Sequence, residues 1–137
     1  MLGNNCQFKY QYINNKLDTY LYLGEQQIGH STITVQNDLK TWIISAWYIG
    51  KEYQNRGYGK VLLQKSLLFL SVQNPIPQNI EYIWNGANQY VMDWLEINFN
   101  PISKCPLAIR KNNMDDDWSS HIYILNRDAV LKYFDII

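Results

Sequence analysis

The spacing of apolar residues changes from a two-residue to a helical period at Gly57, and this switch constrains the fold more than any other feature. Upstream, four alternating segments follow one another closely, at residues 8–13, 17–23, 27–35 and 41–49. Asn14-Asn15, Gly24 and Asn37-Asp38 supply the turn chemistry between them. Connections this short join antiparallel neighbours, so a four-stranded meander is predicted. In the third segment, alternation puts Ile28, His30, Thr32 and Thr34 on one face and Gly29, Ser31, Ile33 and Val35 on the other. The fourth segment is nearly all apolar from Trp42 to Ile49, as expected of a strand buried on both faces.

Downstream, Val61, Leu62, Leu63, Leu67, Leu68 and Leu70 define a broad apolar helical face, and Pro75 and Pro77 end it. Residues 80–84 read as a fifth strand reached by this helical crossover, hence parallel to the fourth. A second helix is predicted over 87–98, with Val91, Trp94 and Leu95 buried, and Pro101 closes it. Strands at 106–109 and 121–125 flank a connection holding Asp115-Asp116-Asp117, and a short helix over 127–134 follows. The prediction is therefore a mixed α/β fold. Its central, mostly antiparallel sheet has six or seven strands, a parallel pair between the fourth and fifth, and two main helices. At 137 residues and 47% hydrophobic content, residues 1–137 are expected to form one domain with a real core.

Twelve cations balance twelve anions, which argues against a mainly electrostatic nucleic-acid binder. The strongest apolar run, 61–72, is interrupted by polar residues and is too short to span a bilayer. The first eleven residues are polar and aromatic rather than leader-like. Cys6 and Cys105 lack metal-site spacing, and no carboxylates share helical spacing with a histidine, so no metal is expected. Two reduced thiols and a cytoplasmic location are the expectation. Charge is uneven: Lys51, Arg56, Lys60 and Lys65 face only Glu52, which suggests one anionic site.

That cluster surrounds Gln54-Asn55-Arg56-Gly57-Tyr58-Gly59-Lys60, between the buried strand and the leucine-rich helix. Two glycines allow a tight turn and remove Cβ atoms that would hold a ligand away. The helix start offers unpaired N–H groups at the positive end of its dipole, an arrangement that fits a diphosphate. The stretch resembles the acetyl-coenzyme A signature Q/R-x-x-G-x-G/A of the GNAT family of N-acetyltransferases, at Gln54, Gly57 and Gly59. The approach, Ile49-Gly50-Lys51-Glu52-Tyr53, and the continuation, Lys60-Val61-Leu62-Leu63, are similar to that family as well.

The resemblance implies acetyl transfer from acetyl-CoA to a primary amine by direct attack. Asn55, Arg56, Gly57, Tyr58, Gly59 and Lys60 would hold the pyrophosphate. Trp47, Tyr48 and Ile49 would pair with the pantetheine arm in a gap between splayed fourth and fifth strands, with Asn85 and Asn88 as further polar contacts. Replacing Gly57 and Gly59 by valine is expected to abolish binding without unfolding. The family's proton-donating tyrosine corresponds here to Trp94 or Leu95, so Tyr90, one turn earlier, is the candidate acid. Glu81, Glu25 and His30 are candidate bases, with Glu81 favoured. His121 begins a late strand, where a structural role is favoured. The helices that family members insert between the first two strands are missing, since only Asn14-Asn15-Lys16 intervenes. An open acceptor groove follows, suited to a bulky or macromolecular substrate, or covered by a second subunit; the amine acceptor itself is expected to be a small molecule or a protein. Asp115-Asp116-Asp117 could meet a cationic acceptor. The alternatives are a GNAT-fold module that binds acyl-CoA without transfer, an enzyme using another acyl donor, and a toxin-like enzyme acting on aminoacyl-tRNA, against which the neutral charge speaks.

Overall fold

Asn14 and Asn15 take left-handed φ values of 54° and 61°, the backbone of a tight hairpin turn. They join β1 (Cys6–Ile13) to β2 (Lys16–Leu23), which pair from Ile13↔Lys16 out to Cys6↔Leu23. The computed structural model describes residues 6–36, 38–84, 89–99, 103–106 and 121–137. After Gly24, at φ 64°, β3 (Gln26–Gln36) pairs with β2, and β4 (Thr41–Ile49) pairs with β3, completing the antiparallel meander. Helix α1 (Tyr58–Gln73) crosses over to β5 (Asn79–Trp84), parallel to β4. Then come α2 (Gln89–Phe99), β6 (Ser103–Pro106), β7 (His121–Leu125) and α3 (Arg127–Tyr133). The seven strands form one sheet in the order β1-β2-β3-β4-β5-β7-β6.

Helix α1 lies on the meander, and aromatic rings of β1 and α1 serve this contact. Tyr10 stacks on Phe69 with centroids 4.7 Å apart, Tyr12 meets the same ring edge-on at 5.9 Å, and Tyr12 also bonds Asn74. Ser66 donates to the Leu62 carbonyl, so the buried Ser31 hydroxyl donates to Ser66, 2.7 Å away. Gly29 of β3 has no room for a side chain: a Cβ there would lie 2.6 Å from Ile49 Cδ1 and 3.2 Å from the Tyr48 carbonyl of β4, and 3.4 Å from Leu62 Cδ2 of α1.

The structure departs from the sequence reading in four places. Ile28 is the extra residue of a bulge, since Leu21 pairs with Gly29 and Tyr22 with Gln27. It packs with Leu21, Tyr58 and Leu62 instead of sharing the His30 face, because a bulge shifts strict alternation by one residue. Leu68 is exposed while Ser66 is buried, so the buried helical stripe is narrower than the leucine count implies. Strand β4 is buried only in its first half: Thr41, Trp42 and Ile44 are core, whereas Ser45 and Tyr48 are exposed. The sixth strand covers Ser103–Pro106 rather than starting at Pro106, and residues 107–109 lie outside the described residues, as do Pro101 and Asp115-Asp116-Asp117. Among the described residues no helix is long and apolar enough to cross a membrane, and no cluster of His, Cys, Asp or Glu could hold a metal ion.

Candidate active site

A single extra residue opens the site. Thr32 pairs with Ala46 and Ile33 with Ile44, which leaves Ser45 unmatched as a bulge in β4. On the other edge, pairing with β5 ends at Ile44↔Tyr82, immediately before that bulge. Bulges bend and twist a strand, and here β4 parts from β5. The result is a cleft of about 410 Å³. Residues 45–49 of β4 form one wall, Tyr82 and Ile83 of β5 with Val91 and Trp94 of α2 the other, and Gly57, Tyr58, Gly59 and Lys60 one end.

The loop into α1 is braced from behind. The Gln54 amide donates to the Ile49 carbonyl at 2.9 Å, Tyr53 donates to the Gln26 side chain at 3.1 Å, and the Gly50 N–H bonds the Ile28 carbonyl. Asn55 and Gly57 both have positive φ, 64° and 86°. Gly57 is the N-cap of α1 and supplies no side-chain cap, and the first bond along the helix is Val61 N–H to the Gly57 carbonyl. The N–H groups of Tyr58, Gly59 and Lys60 therefore start the helix without an intrahelical acceptor and without a cap, at its positive end.

The two glycines serve different ends. Gly57 needs its left-handed φ, so valine there would be strained, and of the two replacements expected to abolish binding without unfolding it is the one that costs stability. Gly59 has no such requirement; a Cβ would make only ordinary contact with Ile49 Cγ1 and Trp47 Nε1, at 3.7 and 3.8 Å.

Of the loop and strand residues singled out from sequence, Trp47, Tyr48, Ile49, Gln54, Asn55, Gly57, Tyr58, Gly59 and Lys60 line the cleft. Tyr58 is also core, 8% exposed. Arg56 is exposed and does not line it, while Lys60 Nζ sits 5.6 Å from the centre of the Trp94 ring. Asn85 and Asn88 lie outside the described residues, as does the side chain of Tyr90. Glu81 is 4% exposed and does not line the cleft; Glu25 is an exposed turn residue. Trp94, where a tyrosine was sought, packs edge-on against Trp47 at 6.0 Å and Phe99 at 5.3 Å.

Sequence reasoning missed Tyr82. It is 7% exposed, lines the cleft and meets Trp47 edge-on at 6.3 Å. Burial pushes its phenol up to about 12. Ser45 and Ala46 were also missed; the one available signal was a lone serine in an apolar strand.

Fold and cleft together define a mixed α/β domain whose sheet splits over the start of a helix. Residues 5–70 match the model of the acetyltransferase (GNAT) family. Solved structures share the fold. A Bacillus anthracis protein in complex with acetyl coenzyme A is 22% identical (TM-score 0.59), the match covering 83% of this chain and 64% of that one. PaiA N-acetyltransferase from Thermoplasma acidophilum, with coenzyme A, is 14% identical at TM-score 0.59, covering 80% and 60%. A GNAT family acetyltransferase from Elizabethkingia anophelis with acetyl-CoA bound is 12% identical at TM-score 0.62, covering 90% and 97%. The chain thus spans less than two thirds of the Bacillus and Thermoplasma proteins. No curated protein matches the sequence.

Proposed function

We propose that this chain transfers an acetyl group from acetyl-CoA to a primary amine by direct attack. The observation that carries the reading is the coincidence of the Ser45 bulge, the end of β4–β5 pairing at Ile44↔Tyr82, and the uncapped start of α1 on one cleft. A linear thioester fits this layout. Its pyrophosphate takes the N–H groups of Tyr58, Gly59 and Lys60, with Lys60 adding charge and Arg56 acting from the rim. Its pantetheine arm runs along residues 45–49, whose edge toward β5 has lost its strand partner. Its acetyl end lies among Trp47, Tyr82 and Trp94.

Tyr82 offers a hydrogen bond rather than a proton. A phenol near 12 is a weaker acid than a thiol near about 8.5, so it stabilises developing charge without protonating the thiolate. Proximity and backbone N–H groups supply most of the remaining acceleration. The comparisons support this reading through relatives crystallised with acetyl-CoA or CoA.

Trp94, in place of the tyrosine sought there, favours a second reading in which the cleft binds acyl-CoA without transfer. Thermal-shift titration with acetyl-CoA tests the cleft, and thiol release with primary amines separates the readings. A folded protein that ignores millimolar acetyl-CoA rules out both. Binding without thiol release leaves the second.

A further inference from the structure

On the sheet face turned away from α1, strand register lays out two rows: Asp18, Thr32 and Ala46, and beside them Tyr20, His30 and Tyr48. Ala46 and Tyr48 belong to the stretch of β4 that lines the cleft, while Trp47 between them bonds Gly59 on the α1 side. Residues of both faces of β4 therefore border the gap. The patch adjoins its mouth on the face away from α1.

Its polar atoms are ordered. The Thr32 hydroxyl donates to Asp18 Oδ1 at 2.6 Å, so it can only accept from His30 Nε2, 3.2 Å away. His30 Nε2 also lies 2.9 Å from Asp18 Oδ1. Both contacts place the ring hydrogen on Nε2, which leaves a lone pair on Nδ1 of the neutral ring. Among the described residues Nδ1 has no hydrogen-bond partner. Tyr20 stacks on the ring at 4.8 Å, and Tyr48 meets it edge-on at 5.8 Å. The charged and titratable groups facing His30 are thus Asp18 and Tyr20 of β2 and Tyr48 of β4. Burial works against the Asp18 charge, but hydrogen bonds from Thr32 and His30, with Lys16 nearby, outweigh it and hold the carboxyl below its usual value. The His30 and Asp18 side chains keep 20% and 18% exposure, enough for a small cation to reach them. Tyr20 and Tyr48 flank the His30 ring in the row beside the Asp18 carboxylate, and aromatic rings next to a carboxylate are a setting for an alkylammonium.

We propose that this patch receives the acceptor: a primary alkylammonium docks among Asp18, Tyr20 and Tyr48, and His30 Nδ1 takes a proton from it. The inference rests on the acetyl-CoA reading above. The freed amine attacks the thioester carbonyl at the Ala46 end of the gap; its C–N bond forms as the C–S bond breaks. The second N–H proton neutralises the thiolate, and His30 returns its proton to water.

The test is thiol release from acetyl-CoA across pH with spermidine, tyramine, kanamycin and a lysine-containing peptide, beside acetyl-CoA thermal shifts measured separately. His30→Gln is expected to keep the acetyl-CoA shift and to lose at least about tenfold in kcat/KM near neutrality. The deficit should close as pH approaches the amine's own value of about 10. Imidazole should restore activity to His30→Ala. Should these variants fail to fold, Tyr20→Leu carries the test through a raised amine KM with an unchanged acetyl-CoA shift. Parallel pH profiles for His30→Gln and wild type, an unchanged KM in Tyr20→Leu, or the pH-dependent loss appearing in Glu81→Gln instead would overturn the assignment. Wild type that binds acetyl-CoA yet acetylates none of the four amines also overturns it, with the cleft reading intact. Wild type that gives no acetyl-CoA shift removes both.

Discussion

The indole N–H of Trp47 donates to the carbonyl oxygen of Gly59 across 2.8 Å, so a side chain of the β4 wall is bonded to the main chain of the helix start. This bond fixes the distance between the edge that loses its partner at Ile44 and the uncapped N–H groups of α1. Trp47→Phe keeps an aromatic ring against Tyr82 and Trp94 but removes the bond. Urea denaturation should show a loss of about 1–2 kcal/mol, and calorimetry a weaker affinity for acetyl-CoA. Unchanged affinity would show that α1 is held in place by its apolar contacts alone.

Gly57 and Gly59 should separate stability from binding. Gly57→Ala forces a side chain into a left-handed φ of 86° and should cost about 1–2 kcal/mol. Gly59→Ala meets only ordinary contacts and should melt at or above the wild-type temperature, since alanine outranks glycine in helices by up to about 1 kcal/mol. Gly59→Val pushes methyl groups toward Ile49 and Trp47, into the cleft. It should fold yet lose the acetyl-CoA shift. Retention of a full shift by that variant would place the diphosphate elsewhere.

The Ser31–Ser66 bond, buried between β3 and α1, gives a double-mutant cycle. Ser66→Ala leaves the Ser31 hydroxyl buried without its acceptor and should cost about 1–3 kcal/mol. The Ser31→Ala, Ser66→Ala pair should cost less than the sum of the single changes by at least about 0.5 kcal/mol. Additive urea midpoints would mean that the two hydroxyls do not stabilise each other.

Tyr82 predicts an alkaline limb in stability. Its phenol is pushed up to about 12 in the fold from 10.0, so above pH 10 unfolding releases a proton that the native state keeps. The contribution is fully present below the unfolded value and is lost as pH rises through the folded one, up to about 2–3 kcal/mol. Denaturation of wild type and Tyr82→Phe should differ by a constant amount below about pH 9. Wild type should then fall relative to the variant between pH 10 and about 12. Parallel curves throughout would mean that water reaches the hydroxyl.

Much of the architecture was legible because it depends on local periodicity. Alternation, the Asn14-Asn15 turn and the prolines after α1 set four antiparallel strands and a crossover helix, and the crossover made β5 parallel to β4. The glycine loop ahead of α1 was legible for a similar reason: a glycine at φ 86° and a helix start are short-range features. Bulges defeated this reading. Ile28 changed faces and Ser45 became unpaired because the register of a neighbouring strand, distant in sequence, assigns the extra residue.

The sequence by itself determined the order of elements, the glycine loop and the absence of helices between β1 and β2, because each depends on contacts within a few residues. Only the tertiary structure decided where β4 leaves β5, which side chains wall the cleft, and that Asp18, His30 and Thr32 share a bonded cluster on the open face. Those relations join residues on different strands. Their distances follow from register and packing, which no single stretch of chain encodes.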